Sequence, residues 1–235
     1  MSEKEIVEET YDQIADWYLD WVREQRSPRE LYTHKVLDRA PCSQSQSPDI
    51  LELGCGPGVP ITRLLLDRGA HVVANDISTK QLNMAKGFCP EASFVSGDMS
   101  ALSFEPSSFD GAVSFFTMFH LPRAEQKEML SKIHTWLRPG AVFAFNLATV
   151  DEEEIYGEFL GRGMFWSSYD VEDSKAMVRD VGFEAIEAEV LEAGDGQLDE
   201  DDPDYGAKFL WIAARKRQNG PEPASDHAPT CCDPR

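Results

Sequence analysis

Residues 50–59 read Ile-Leu-Glu-Leu-Gly-Cys-Gly-Pro-Gly-Val, an apolar run that breaks into glycine at every second position. Gly54, Gly56 and Gly58 allow positive φ and, lacking a Cβ, let a ligand press against the backbone, so this is a strand ending in a turn shaped for close approach. The chain that follows alternates short apolar runs with amphipathic ones. Strands are expected at 49–53, 71–75, 93–95, 111–115 and 141–147, and helices at 59–68, 79–86 and 123–136. Such alternation builds βαβ units, hence a mostly parallel α/β sheet covered on both faces.

The flanks follow other rules. Ile14, Trp17, Tyr18, Trp21 and Val22 recur at spacings of three and four, predicting an aromatic amphipathic helix over 3–24. A second helix is expected over 28–39, with Pro28 at its start, and then a loop at 41–48 around Ser-Gln-Ser-Gln-Ser. After the sheet, residues 149–169 contain EFLGRGMFWSSYD, too irregular for one helix, and are expected to form a loop or lid. A helix over 171–181 ends at Gly182. Strands at 183–191 and 208–214 have no helix between them, so they should form an antiparallel pair at the sheet's edge. The acidic run at 199–204 is expected as a solvated loop. The organisation read from the sequence is a helical cap at 1–40, a sheet domain at 41–217 and a disordered tail at 218–235.

Charge narrows the ligand. Against 22 Lys and Arg stand 42 Asp and Glu, a net charge of −20, which disfavours nucleic-acid phosphates and anionic membrane surfaces. No apolar stretch approaches the roughly 18 to 20 residues of a spanning helix, and no signal sequence is evident. A soluble cytoplasmic protein, monomeric or homodimeric and acting on a small molecule, is the expectation. The five cysteines, Cys42, Cys55, Cys89, Cys231 and Cys232, include no CxxC pair and no zinc-type spacing, so neither a disulfide framework nor a metal is expected.

The glycine loop itself is not of the dinucleotide type, because G-x-G-x-x-G would need glycine where Val59 stands, and no Gly-Lys-Ser/Thr follows for a Walker loop. Glu52, two residues before the first glycine, suits a cationic ligand better than a pyrophosphate. Asp76 ends the second strand, where a carboxylate can accept from both hydroxyls of a ribose. Gly97-Asp98-Met99 follows the third strand, and residues 114–120 follow the fourth.

With these elements in order, the chain resembles the class I S-adenosylmethionine-dependent methyltransferases, in their small-molecule branch with the ELGCGPG loop. The resemblance implies a Rossmann-like seven-stranded sheet of order 3-2-1-4-5-7-6 with the seventh strand antiparallel, beneath an N-terminal helical cap. It implies S-adenosyl-L-methionine as cofactor. Glu52, Gly54, Gly56 and Gly58 would surround its methionine part, Asp76 would hold the ribose, and Ile77, Asp98 and Met99 the adenine. Phe115 would touch the amino-acid end, and Tyr11 would close over the cofactor. Phe119-His120-Leu121 and Phe209-Leu210-Trp211 also look like segments of this family.

Methyl transfer from a sulfonium needs alignment more than acid catalysis. A base is needed only for a protonated acceptor, and His120 is the candidate, with a structural or substrate-contacting histidine as the other reading. The acceptor would be a small hydrophobic or aromatic metabolite, bound through Trp17, Tyr18, Phe119 and Trp166. Two alternatives stay open: a cofactor-binding protein without methyl transfer, and a nicotinamide-dependent oxidoreductase.

Overall fold

Period-two burial along the strands sorts their side chains onto two faces. In β1 (Asp49–Leu53), Leu51 and Leu53 face one core and Ile50 the other; in β5 (Leu137–Ala148), Phe143 and Phe145 oppose Val142 and Ala144 in the same way. A computed structural model describes residues 1–25, 27–41 and 47–217. Most of the Ser-Gln-Ser-Gln-Ser turn, Cys42, Cys231, Cys232 and the 218–235 tail lie outside the described residues.

The remaining sheet strands are β2 (His71–Asp76), β3 (Ser93–Ser96), β4 (Phe109–Ser114), β8 (Phe183–Glu192) and β9 (Lys208–Lys216). Their order is β3-β2-β1-β4-β5-β9-β8. Counting sheet strands only, this is the expected 3-2-1-4-5-7-6. The pairs from β3 across to β5 are parallel, and β9 runs antiparallel to both β5 and β8. The last strand therefore inserts inside the sheet, and β8 takes the edge.

One face is covered by α5 (Arg123–Trp136) and α6 (Val171–Val181), through Met129, Ile133, Met177 and Val178. The other is covered by α2 (Arg29–Leu37), α3 (Ile61–Asp67) and α4 (Thr79–Phe88), through Tyr32, Val36, Leu65 and Leu82. Thus α2 belongs to the sheet's own layer. It seats closely because Gly111 has no side chain: a Cβ there would overlap Val36 Cγ1. Of the stretch 1–40, only α1 (Glu3–Glu24) lies over the carboxyl ends of the strands. It opens on a capping box between Ser2 and Glu5. It is tied down by Asp12 Oδ1, which accepts from Ser78 Oγ at 2.5 Å and the Lys80 amide at 3.1 Å, and by Lys4 Nζ, which reaches Asp98 and Glu125.

Three expectations are corrected. Residues 149–169 form an antiparallel hairpin, β6 (Glu152–Phe159) and β7 (Arg162–Ser168), outside the main sheet. Its turn sets Leu160 and Gly161 at φ 55 and 70, a two-residue turn that ordinarily advertises itself as Asn-Gly. The hairpin packs Met164 and Phe165 against Val7 of α1. The acidic run is not freely solvated: Asp202 Oδ2 accepts from Trp21 Nε1 at 3.2 Å, and Asp204 Oδ2 from Gln25 Nε2 at 2.8 Å, because the loop folds back onto the end of α1. The helix expected from residue 59 starts at Ile61, with Pro60 as its N-cap.

Candidate active site

The first turn after β1 is held by β2: the amides of Gly54 and Cys55 both donate to Asn75 O, at 2.8 and 2.9 Å. Gly54 sits at φ +70, and a Cβ on it would collide with the Thr117 side chain. Glycine is required there by both conformation and space. Gly56 donates its amide to Asp76 Oδ2 at 2.7 Å, and the Ser78 amide donates to Asp76 Oδ1 at 2.9 Å. The loop and the acid at the end of β2 are therefore one hydrogen-bonded unit.

Above this unit lies a cavity of about 620 Å³. Of the residues expected to hold the cofactor, Tyr11, Gly54, Gly56, Asp76, Ile77, Asp98, Met99 and Phe115 line it. Burial raises the Asp76 carboxyl to about 6 although the Ser78 and Gly56 amides lower it. Asp98 is pulled both ways: burial raises its carboxyl, but hydrogen bonds from Lys4 and Ser100 outweigh it, and the group ends below the usual value. Its Oδ2 is held by Lys4 Nζ at 2.7 Å, so this acid reaches the cavity already paired.

Glu52 and Gly58 lie outside that cavity. Gly58 faces Ala85 and Cys89, beneath the loop. Glu52 lies in an adjoining recess of about 340 Å³ that shares Tyr18, Gly54, Gly56 and Phe115 with the cavity. It is buried, accepts from Thr62 Oγ1 at 2.6 Å, and has its pKa pushed up to about 8 by burial. Arg29 lines the same recess, 6% exposed. Burial lowers its pKa, and no ion pair joins it to a carboxylate among the described residues. A buried acid and a buried base thus share one small space without touching. A zwitterion would bridge them.

A second cavity, of about 780 Å³, lies on the far side of Tyr11, Tyr18, Phe116 and His120, which line both. Phe119 and Trp166 line it, as expected for acceptor contacts, together with Trp21, Phe159 and Phe209. Trp17 does not: it is 40% exposed and stacks on Trp21, because its position on α1 turns it away from the sheet. In the shared wall, His120 is buried, and its Nδ1 lies 2.8 Å from the Phe165 carbonyl. A carbonyl only accepts, so Nδ1 carries the proton and Nε2 offers a lone pair, accepting from Tyr11 Oη at 3.1 Å. Burial lowers the His120 pKa to about 4, partly offset by the Phe165 bond. The imidazole is neutral at pH 7.

Three residues of the sites, Arg29, Lys4 and Gln81, carry no motif and escape a sequence reading, whereas Thr117 falls in the segment expected after the fourth strand. Gln81 is the most informative. It is 1% exposed and lines the first cavity, and neither Nε2 nor Oε1 has a partner among the described residues. An amide with a donor and an acceptor both unused is complementary to the mixed donor and acceptor edge of a purine. With Asp76 for a diol and the Glu52 and Arg29 pair for a zwitterion, the residues fit S-adenosylmethionine group by group. A pyrophosphate fits poorly, since among the described residues Lys4 is the only cation lining the cavity and Asp76 and Asp98 face it.

The sheet order, the glycine loop and the acid closing β2 together define a class I methyltransferase fold. Residues 50–140, which hold the glycine loop, Asp76 and Asp98, match the family described as "Methyltransferase domain". Among curated relatives, the sterol 24-C-methyltransferase of Pneumocystis carinii is 28% identical over 165 residues, 63% of this chain and 43% of that protein. The malonyl-[acyl-carrier protein] O-methyltransferase of Pseudescherichia vulneris is 30% identical over 142 residues, 60% of this chain and 53% of that protein. The chain thus spans about half the length of these relatives. Among solved structures, the 1,6-didemethyltoxoflavin-N1-methyltransferase of Burkholderia thailandensis, with its substrate and S-adenosylhomocysteine bound, has a TM-score of 0.66 at 18% identity, covering 91% of this chain and 88% of that one. No helix among the described residues is long and apolar enough to cross a membrane.

Proposed function

We propose that the protein transfers a methyl group from S-adenosylmethionine to a nucleophilic atom of a small, largely apolar acceptor. The reading rests on one observation above the others: a cofactor-shaped cavity and an aromatic cavity meet at a common wall of Tyr11, Tyr18, Phe116 and His120. When bound, the cofactor supplies a methyl on a sulfonium, a leaving group that needs no acid. The chain supplies position. Asp76 would take the ribose, Gln81 and Ile77 the adenine, Glu52 the ammonium and Arg29 the carboxylate. Holding donor and acceptor in line is worth about 7–11 kcal/mol of barrier.

His120 adds the proton chemistry. Its Nε2, kept free of a proton by the Phe165 bond on Nδ1, would take the proton of a hydroxyl or ammonium acceptor, directly or through the Tyr11 hydroxyl. The acidic charge balance, −20 in all, supports an enzyme that works without nucleic acid or anionic membranes, and we infer a cytoplasmic monomer or homodimer.

Calorimetry with S-adenosylhomocysteine tests the cofactor assignments. Wild type should bind it and not NAD, and Asp76→Ala should weaken binding about 100-fold, the loss of two hydrogen bonds to a charged acceptor. Because Glu52 titrates near 8, meeting an ammonium should release close to one proton at pH 7 and almost none at pH 9. Undiminished affinity in Asp76→Ala, or no proton release at pH 7, refutes the corresponding assignment.

A further inference from the structure

The aromatic cavity contains one group that an apolar acceptor would not need. Its walls are the rings of Trp21, Phe119, Trp166 and Phe209, and at its margin stands Asp204. Only one of its carboxylate oxygens is engaged: Oδ2 accepts from Gln25 Nε2, and Oδ1 accepts nothing among the described residues. The neighbouring acid Asp202 is turned away, with Oδ1 on the Asp204 amide and Oδ2 on Trp21 Nε1. Among the described residues no cation forms an ion pair with Asp204, and Arg29 is linked to it through the Gln25 amide. A carboxylate with a free oxygen, set among aromatic faces, is the combination that recognises a positively charged nitrogen. The acid supplies the counter-charge, and the ring faces supply cation–π attraction.

We propose that the acceptor substrate is an aromatic amine, its ring lying among Trp21, Phe119, Trp166 and Phe209 and its ammonium on Asp204 Oδ1. This deepens the methyltransferase reading and rests on it. A carboxylated or phosphorylated acceptor would meet Asp204 with like charge. A neutral hydrocarbon would bury the carboxylate without compensation.

Binding to the full chain saturated with S-adenosylhomocysteine provides the test, with tryptamine, tryptophol and indole-3-acetate as probes of one ring system and three charges. Wild type should bind tryptamine at least 10-fold more tightly than tryptophol, and indole-3-acetate most weakly. In Asp204→Asn, the amide still accepts from Gln25, so a purely structural role is preserved while the charge is lost. The amine-to-alcohol ratio should fall to within threefold of unity. Equal or inverted ranking in wild type, binding of none of the three probes, or an amine preference that survives Asp204→Asn overturns the proposal. Should the variant fail to fold, the wild-type ranking alone decides. A wild type that binds no S-adenosylhomocysteine instead refutes the methyltransferase reading itself.

Discussion

The two cavities share a wall but are built by different means. Apart from α1 and Arg29 of α2, the cofactor side comes from the ends of four neighbouring parallel strands: residues between Glu52 and Met99 after β1, β2 and β3, and the turn from Phe115 to Leu121 after β4. Backbone geometry dictates its residue types: glycine where φ is positive and space is absent, an acid where two loop amides converge. The acceptor side gathers α1, the turn at Met118–His120, the β6–β7 hairpin and the loop before β9. Phe119, His120 and Phe209 lie in short segments that resemble the family's, but no local backbone geometry demands any of the side chains there. The difference teaches that a nucleotide pocket is a property of a loop, whereas an acceptor pocket is a property of an assembly.

The largest expected effect falls on the wall between the two. If His120 moves the acceptor's proton, His120→Gln lowers kcat by about 10²- to 10⁴-fold with S-adenosylhomocysteine affinity kept within threefold, which steady-state kinetics and calorimetry separate. An unchanged rate would reduce the acceptor side to positioning alone. The same residue makes a pH prediction. Its folded pKa of about 4 lies below the ordinary 6.5, so the unfolded chain binds the extra proton. The stability it contributes is complete above 6.5 and is lost as pH falls through 4, about 3 kcal/mol in all. Denaturant titrations should show this part of the acid sensitivity missing from His120→Gln.

A smaller effect attacks the cofactor side through its backbone. Gly54→Ala adds left-handed strain to a collision with Thr117, about 2–5 kcal/mol together, visible as a lower denaturant midpoint. An unfolding free energy within about 0.5 kcal/mol of wild type would show the loop to be more adaptable than its geometry implies. The smallest effect falls on the joint between cap and sheet. Asp12→Ala removes the acceptor for Ser78 Oγ and the Lys80 amide, costing about 1 kcal/mol and weakening S-adenosylhomocysteine less than 10-fold. A larger loss of affinity than of stability would mean that this joint sets the position of Tyr11 and Tyr18, the α1 residues that line the cofactor cavity.

The contrast also explains what a reader of the sequence sees. Strands β1 to β5 announce themselves by apolar runs, and Asp76 and Asp98 by their places after strands. Arg29 and Gln81 carry no such signal, because a buried cation and a buried amide look like surface residues until their surroundings are known. The β6–β7 hairpin is hidden by a turn with leucine in place of asparagine. The acidic run looks solvated, since the Trp21 and Gln25 partners of Asp202 and Asp204 lie some 180 positions away. Trp17 and Tyr18 are adjacent and equally aromatic, and only the seating of α1 turns one outward and the other into both cavities.

The alternation of strands and helices, the glycine loop and the acid closing β2 were determined by the sequence alone, because near-neighbour sterics and hydrophobic period act along the chain and leave their mark in residue type, whereas the order of the strands followed only from the family resemblance. The meeting of Glu52 with Arg29, of His120 with Tyr11 and Phe165, and of Asp204 with an aromatic cavity was decided only by the tertiary structure. Burial and hydrogen-bond partnership, which give those groups their charge state and their chemistry, arise from distances through space.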